Sequence, residues 1–225
     1  MTDSKLKAKG ILFDLDGTIV DSKQAYVMAL KTAFLAVGQK TVDIQIAIEI
    51  PKRLELNLPI DDLLQGIDTE KFLNIYLTTW YDATAIYTKP IAGISRTLDN
   101  LSKQAKLAVI TRRNVSKQDV IDQLQKLGLA KYFQHVITAQ DNCNPKPSPE
   151  ALIKCAEKLG LKANECIVVG DSVADIKAGK NAGAKTVAVL SGIFSREELE
   201  SEKPDLILES VNQLPDFLEQ PIRLP

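Results

Sequence analysis

The sequence predicts an α/β protein: a doubly wound, Rossmann-like parallel sheet with a small helical cap inserted after its first strand. Three observations predict it. Short apolar runs stop abruptly at polar residues, helical patterns closed by glycine lie between them, and one long early stretch carries helical periodicity with no strand-like run.

Gly10-Ile11-Leu12-Phe13 is the first apolar run, and it stops at Asp14, as suits a buried parallel strand ending at a site. Leu107 to Ile110 ends at Thr111, Cys166 to Val169 ends at Gly170-Asp171, and Lys185 to Val189 ends at Leu190-Ser191-Gly192. Val136 to Thr138 and Leu206 to Leu208 are two further strand candidates. Between them the spacing predicts helices over Ser116 to Leu127, Ser148 to Leu159 and Ala174 to Asn181, with Gly128, Gly160 and Gly183 as the left-handed residues that commonly end a helix. Strands alternating with helices imply a doubly wound sheet, which binds ligands at the carboxyl ends of its strands.

Asp21 to Thr88 reads as a helical insertion. Tyr26 to Val37 has amphipathic period and ends at Gly38, Asp61 to Leu64 and Thr69 to Tyr81 suggest two more helices, and Pro51 and Pro59 are expected to break the stretch between. The expected division is a core of residues 1–20 and 89–225 and a cap of residues 21–88.

Composition limits the partners. Hydrophobic residues make up 45% and charged residues 25% of the 225, as in ordinary globular proteins. A net charge of -1, from 28 basic and 29 acidic residues, offers no general field for nucleic acid or an anionic membrane. No apolar run is long enough to span a bilayer and the first ten residues are polar, so a cytoplasmic protein is expected, with Cys143, Cys155 and Cys166 as reduced thiols. Oligomeric state is left as monomer or homodimer.

The chemistry gathers at the strand ends. Asp14 and Asp16 lie two apart, so in extended geometry both carboxylates face one side. Their repulsion calls for a divalent cation, and Asp171 with Asp175 would complete an oxygen-rich magnesium site. Gly17 lets backbone amides approach an anion, and Thr18 adds an amide or hydroxyl. The Thr111 hydroxyl and the Lys146 ammonium, the latter between Pro145 and Pro147, suit phosphoryl oxygens. Each segment has a plainer reading: an Asp-rich turn, a helix cap, a solvated lysine. His135, the sole histidine, reads as structural, Trp80 and Tyr81 as packing, and Lys5, Lys7 and Lys9 as a solvated terminus.

Taken together and in order, Asp14-Leu15-Asp16-Gly17-Thr18, Ile110-Thr111, Lys146-Pro147 and Gly170-Asp171-Ser172-Val173-Ala174-Asp175 resemble the four motifs of the haloacid dehalogenase superfamily, across nearly the whole chain. The helical insertion is similar to the cap of its phosphoglycolate phosphatase and beta-phosphoglucomutase group. The resemblance implies a magnesium-dependent phosphatase acting on a small phosphorylated metabolite. Asp14 would be the nucleophile and Asp16 the general acid, then base. Asp14, the backbone carbonyl of Asp16 and Asp171 would hold the metal, Asp175 would orient its ligands, and Thr111 and Lys146 would bind phosphoryl oxygens. Thr18 favours hydrolysis over the alternative, a phosphomutase. A phospho-accepting signalling module would not need the cap, and a haloacid dehalogenase would need neither Asp16 nor the metal carboxylates. Two departures stand out. Arg112 and Arg113 follow Thr111, where a small polar residue is usual, and Arg112 is expected to meet a substrate carboxylate or phosphate. Glu49-Ile50-Pro51-Lys52-Arg53 lacks the usual cap-loop glycine; Lys52 and Arg53 are the cap residues expected to reach substrate.

Overall fold

The computed structural model describes residues 5–39, 43, 46–141 and 144–219. The chain divides into two compact units, Met1–Ile19 with Pro90–Pro225, and Val20–Lys89. In chain order the elements are β1 (Gly10–Phe13), β2 (Val20–Asp21), α1 (Lys23–Ala36), α2 (Ile46–Glu55), α3 (Asp61–Leu64), α4 (Thr69–Tyr87), β3 (Lys89–Pro90), α5 (Ile94–Ser102), β4 (Lys106–Ile110) and α6 (Lys117–Lys126). They continue with β5 (His135–Ile137), α7 (Glu150–Lys158), β6 (Cys166–Gly170), α8 (Val173–Asn181), β7 (Lys185–Val189), α9 (Arg196–Ser201), β8 (Leu206–Leu208) and α10 (Leu214–Phe217).

The first unit is built on a six-stranded sheet in the order β5-β4-β1-β6-β7-β8, and every pairing is parallel. The strands are mostly apolar, with polar residues at the starts of β4, β5 and β7, because helices cover both faces of such a sheet. Ile11, Phe13, Val109, Ile167 and Val187 have no exposed surface, and burying each contributes about 1.5 to 3 kcal/mol. The winding reverses at β1, whose register aligns Phe13 with Val109 of β4 and Val169 of β6. The residues following these three strands therefore emerge side by side, at the crevice where such sheets bind ligands. The expected strands and core helices are present within a residue or two of their expected ends. Helices α5, α9 and α10 were not anticipated.

The second unit is helical, with a core of Ala29, Leu30, Ala33, Phe34, Ala47, Ile50, Ile60, Leu64, Phe72 and Tyr76. Phe34 meets Phe72 edge-on at 4.9 Å between ring centroids, and Trp80 stacks on Tyr26 at 5.7 Å, so the aromatics there pack against one another. Two expectations are corrected. Pro51 lies inside α2 and does not break it. A proline within a helix costs about 3 kcal/mol, and here the turn it occupies buries Ala47, Ile50 and Pro51 itself. Helix α4 runs on to Tyr87, six residues beyond the Tyr81 expected. Among the described residues no helix is long and apolar enough to cross a membrane.

Candidate active site

All of the site described here belongs to the first unit. Asp14 follows β1 directly, and its N–H donates to the Val169 carbonyl at 2.8 Å, extending the ladder by one residue. Its carboxylate faces Lys146, whose Nζ donates to Asp14 Oδ1 at 2.5 Å, to Asp175 Oδ1 at 2.6 Å and to the Ile110 carbonyl at 3.3 Å. The Lys146 side chain is only 4% exposed, and these three protein oxygens meet its buried ammonium.

Asp171 follows β6 and begins the turn into α8. Carboxylate oxygens of Asp14, Asp171 and Asp175 lie within 4.8 Å of one another. Thr18, fully buried, donates its hydroxyl to Asp171 Oδ1 at 3.1 Å. Thus the Thr18 hydroxyl orients a carboxylate, where an anion contact was expected. Ser172 caps α8 by accepting from the Asp175 N–H at 3.2 Å, while Asp175 Oδ2 accepts from Ser172 Oγ at 2.7 Å and from the Ser172 N–H at 3.2 Å. That capping box leaves the other Asp175 oxygen for Lys146. Gly17 has φ of 78°, and a Cβ there would collide with the Asp171 carboxylate, so only glycine fits. Ser191 Oγ donates to the Gly17 carbonyl at 2.6 Å and ties this turn to the end of β7.

Asp16 departs from its expected place. The chain bends at Leu15, extended geometry ends, and the Asp16 carboxylate does not join the acidic cluster. It is held by Arg113, with Nε to Oδ2 at 2.7 Å and Nη2 to Oδ1 at 2.5 Å. The metal donor that the resemblance implies for Asp16 is its backbone carbonyl, not this carboxylate. Thr111 is buried, and its Oγ1 accepts from the Arg113 N–H at 3.2 Å. Arg112 is half-buried and lines a small cavity with Thr111, Asn144, Pro145 and Lys146. Lys52 and Arg53 belong to the second unit; there Arg53 pairs with Glu49 at 2.9 Å and Asp62 at 2.5 Å.

Burial pushes the Asp14 carboxyl well above the usual range; Asp175 and Asp16 add to the rise, and Lys146 opposes it. Burial alone would lower the Lys146 ammonium, but Asp14 and Asp175 outweigh it and hold it above its usual range. One ammonium, bonded to Asp14 and Asp175, is thus set among three clustered carboxylates, and Arg113 pairs with the fourth. If all are ionised, two negative charges remain, which one divalent cation would balance. The donors are all oxygens, which suits magnesium.

Sequence reasoning missed Arg113, Ser172, Ser191 and Gly192, at the last of which a Cβ would also strike Asp171. Ser172 was readable as a Ser-x-x-Asp capping box. Arg113 was noted only as a departure from the expected motif.

Comparison with known proteins bears on the family. The haloacid dehalogenase-like hydrolase profile matches residues 11–189. The phosphoglycolate phosphatase of Aquifex aeolicus is 31% identical over 215 residues, covering 94% of this chain and 97% of that one. The pyrophosphatase PpaX of Halalkalibacterium halodurans is 30% identical over 212 residues, covering 92% and 95%. A solved haloacid dehalogenase-like hydrolase from Streptococcus pneumoniae shares the fold with a TM-score of 0.77 at 18% identity, over 93% of this chain and 98% of that one. The strand-end carboxylates, their lysine and these matches along almost the whole sequence place the chain in the haloacid dehalogenase-like hydrolase family.

Proposed function

We propose that this protein is a magnesium-dependent phosphatase of small phosphorylated metabolites, working through an aspartyl-phosphate on Asp14. The observation that carries the reading is Lys146, buried and bridging Asp14 and Asp175 at 2.5 and 2.6 Å beside Asp171. An ammonium fixed there can steady a phosphoryl group while a carboxylate attacks it.

Asp14, Asp171 and the Asp16 backbone carbonyl would hold the metal, with Asp175 orienting Lys146 and the cluster. When bound, the cation would offset the carboxylate charge and screen the phosphoryl oxygens. An Asp14 oxygen attacks phosphorus, the bond to the leaving oxygen breaks, and Asp16 protonates that oxygen. Asp16 then takes a proton from water, whose oxygen attacks phosphorus and releases phosphate from Asp14. Thr111 and Lys146 bind the phosphoryl oxygens, as do the amides at Gly17 and Thr18. Arg112, beside Thr111 and Lys146 in the cavity wall, would pair with a second anionic group of the substrate.

The second unit is read as a cap in which substrate choice resides, with Lys52 or Arg53 meeting the leaving group. The relatives' names suggest phosphoglycolate and inorganic pyrophosphate as first candidates. A phosphomutase is the second reading, and no observation favours it over hydrolysis. The cytoplasm is the expected location, which accords with free thiols at Cys155 and Cys166. A screen of phosphorylated metabolites with and without magnesium, ranked by kcat/KM, tests the proposal. Phosphate release from one or more of them only with the metal is expected. No release from any, or undiminished release in excess chelator, would overturn it.

A further inference from the structure

A second cation grips the Asp16 carboxylate. Arg113 meets both of its oxygens in a planar fork, and its third nitrogen, Nη1, donates to Gln123 Oε1 at 2.5 Å. The Arg113 side chain is 4% exposed and that of Asp16 10%, so the pair is screened little by water. Its mounting is rigid. Gln123 lies on α6, whose start is fixed by a capping box between Ser116 and Asp119. The Arg113 N–H donates to Thr111 Oγ1, and its carbonyl accepts from the Ala139 N–H at 3.1 Å. The ends of β4 and β5 therefore fix the Arg113 backbone, and Gln123 on α6 fixes its guanidinium.

We propose that Arg113, anchored by Gln123, is a positioning residue that fixes the Asp16 carboxylate for proton transfer. The inference rests on the phosphatase reading for the role of Asp16. A two-point fork sets the plane of the carboxylate as well as its location, which a single ammonium does not do. Both proton transfers depend on this placement. For the first transfer one Asp16 oxygen turns from the fork and takes up a proton from water, and as the ester bond breaks that proton passes to the leaving oxygen. In the second displacement Asp16 takes a proton from the attacking water as the bond to Asp14 breaks. A misplaced Asp16 slows the first transfer only where the leaving group needs the proton, and slows the second always.

The test compares the full-length protein with its Arg113→Ala, Arg113→Lys and Gln123→Ala variants, with magnesium, on glycerol phosphate and on p-nitrophenyl phosphate. Arg113→Ala is expected to lower kcat on the alkyl ester by about a hundredfold with KM little changed. On the aryl ester it should release a rapid first equivalent of nitrophenolate, followed by a slow steady state. Arg113→Lys should restore only part of the loss. Gln123→Ala should show the same pattern in smaller measure, and it carries the test if Arg113→Ala does not fold. Equal losses on both esters without a burst, full restoration by lysine, or unchanged kcat in the variants would overturn the inference while the phosphatase reading stands. A wild-type protein inactive on both esters and on every metabolite screened would overturn that reading, and this inference with it.

Discussion

Asp14 and Asp16 are two residues apart yet sit in different surroundings, one against Lys146 and the other in the fork of Arg113. Different consequences should follow from removing each. Asp14→Asn is expected to fold and to form no covalent phosphate, whereas Asp16→Asn should still be labelled and lose the label slowly. Acid-quenched labelling with a phosphoryl donor checks both, and label on Asp14→Asn would mean that another residue attacks. The cysteines allow a second prediction. Burial pushes Cys155 up to about 12 and Cys166 to about 11, from an ordinary 9.0. The folded state then keeps protons that the unfolded chain releases, so this contribution to stability is intact below about pH 9 and is lost as pH rises toward 12. Thiol labelling at pH 8, read by peptide mass, should spare Cys155 and Cys166 until the protein is denatured; Cys143 lies outside the described residues. The positions of Asp14, Thr111, Lys146 and Asp171 were legible because each follows a strand end or a proline-bounded loop, and the sheet aligns those ends. The Asp16 to Arg113 pairing was not legible, since the partners are 97 residues apart and only the bend at Leu15 turns one toward the other.

At the scale of elements, α8 joins stability to chemistry. Its capping box uses one oxygen of Asp175 and so presents the other to Lys146. Ser172→Ala removes the cap acceptor and a donor to Asp175, and should cost about 1 kcal/mol of stability. It should also lower kcat more than so small a loss of stability explains, because Asp175 and with it Lys146 lose their orientation. Thermal melts paired with kinetics check this, and an unchanged kcat would confine the box to stability. The six strands of the parallel sheet were the most legible elements, since each carries a short apolar run that such a sheet demands; β2 and β3, with two residues each, were not legible. Helices were less so. α2 contains Pro51, which local propensity counts as a breaker, and it persists because its buried face packs into the helical core. α9 and α10 are too short for periodicity to reveal, with 6 and 4 residues.

At the scale of the whole molecule, a net charge of -1 means that an anionic substrate would be held by local groups. Under the proposed function the chemistry lies in the first unit and substrate choice in the second, which makes the two testable by excision. The first unit contains the six-stranded sheet and the buried clusters around Leu152 and Ile176. Its chain ends at the insertion are already joined, for the Ile91 N–H donates to the Ile19 carbonyl at 3.0 Å. A few glycine and serine residues would span that gap in place of Val20–Lys89, at little cost in closure entropy. Such a protein is expected to melt cooperatively and to keep magnesium-dependent hydrolysis of p-nitrophenyl phosphate within about tenfold, because Asp14, Lys146, Asp171 and Asp175 are all retained. It should lose most of the discrimination among phosphorylated metabolites that the intact protein shows, since Lys52, Arg53 and the rest of the helical unit are gone. Melting curves, and the ratio of kcat/KM for the preferred metabolite to that for the aryl ester, decide the matter. A folded excised protein with an unchanged ratio would return substrate choice to the first unit, where Arg112 already lines the cavity beside Thr111 and Lys146.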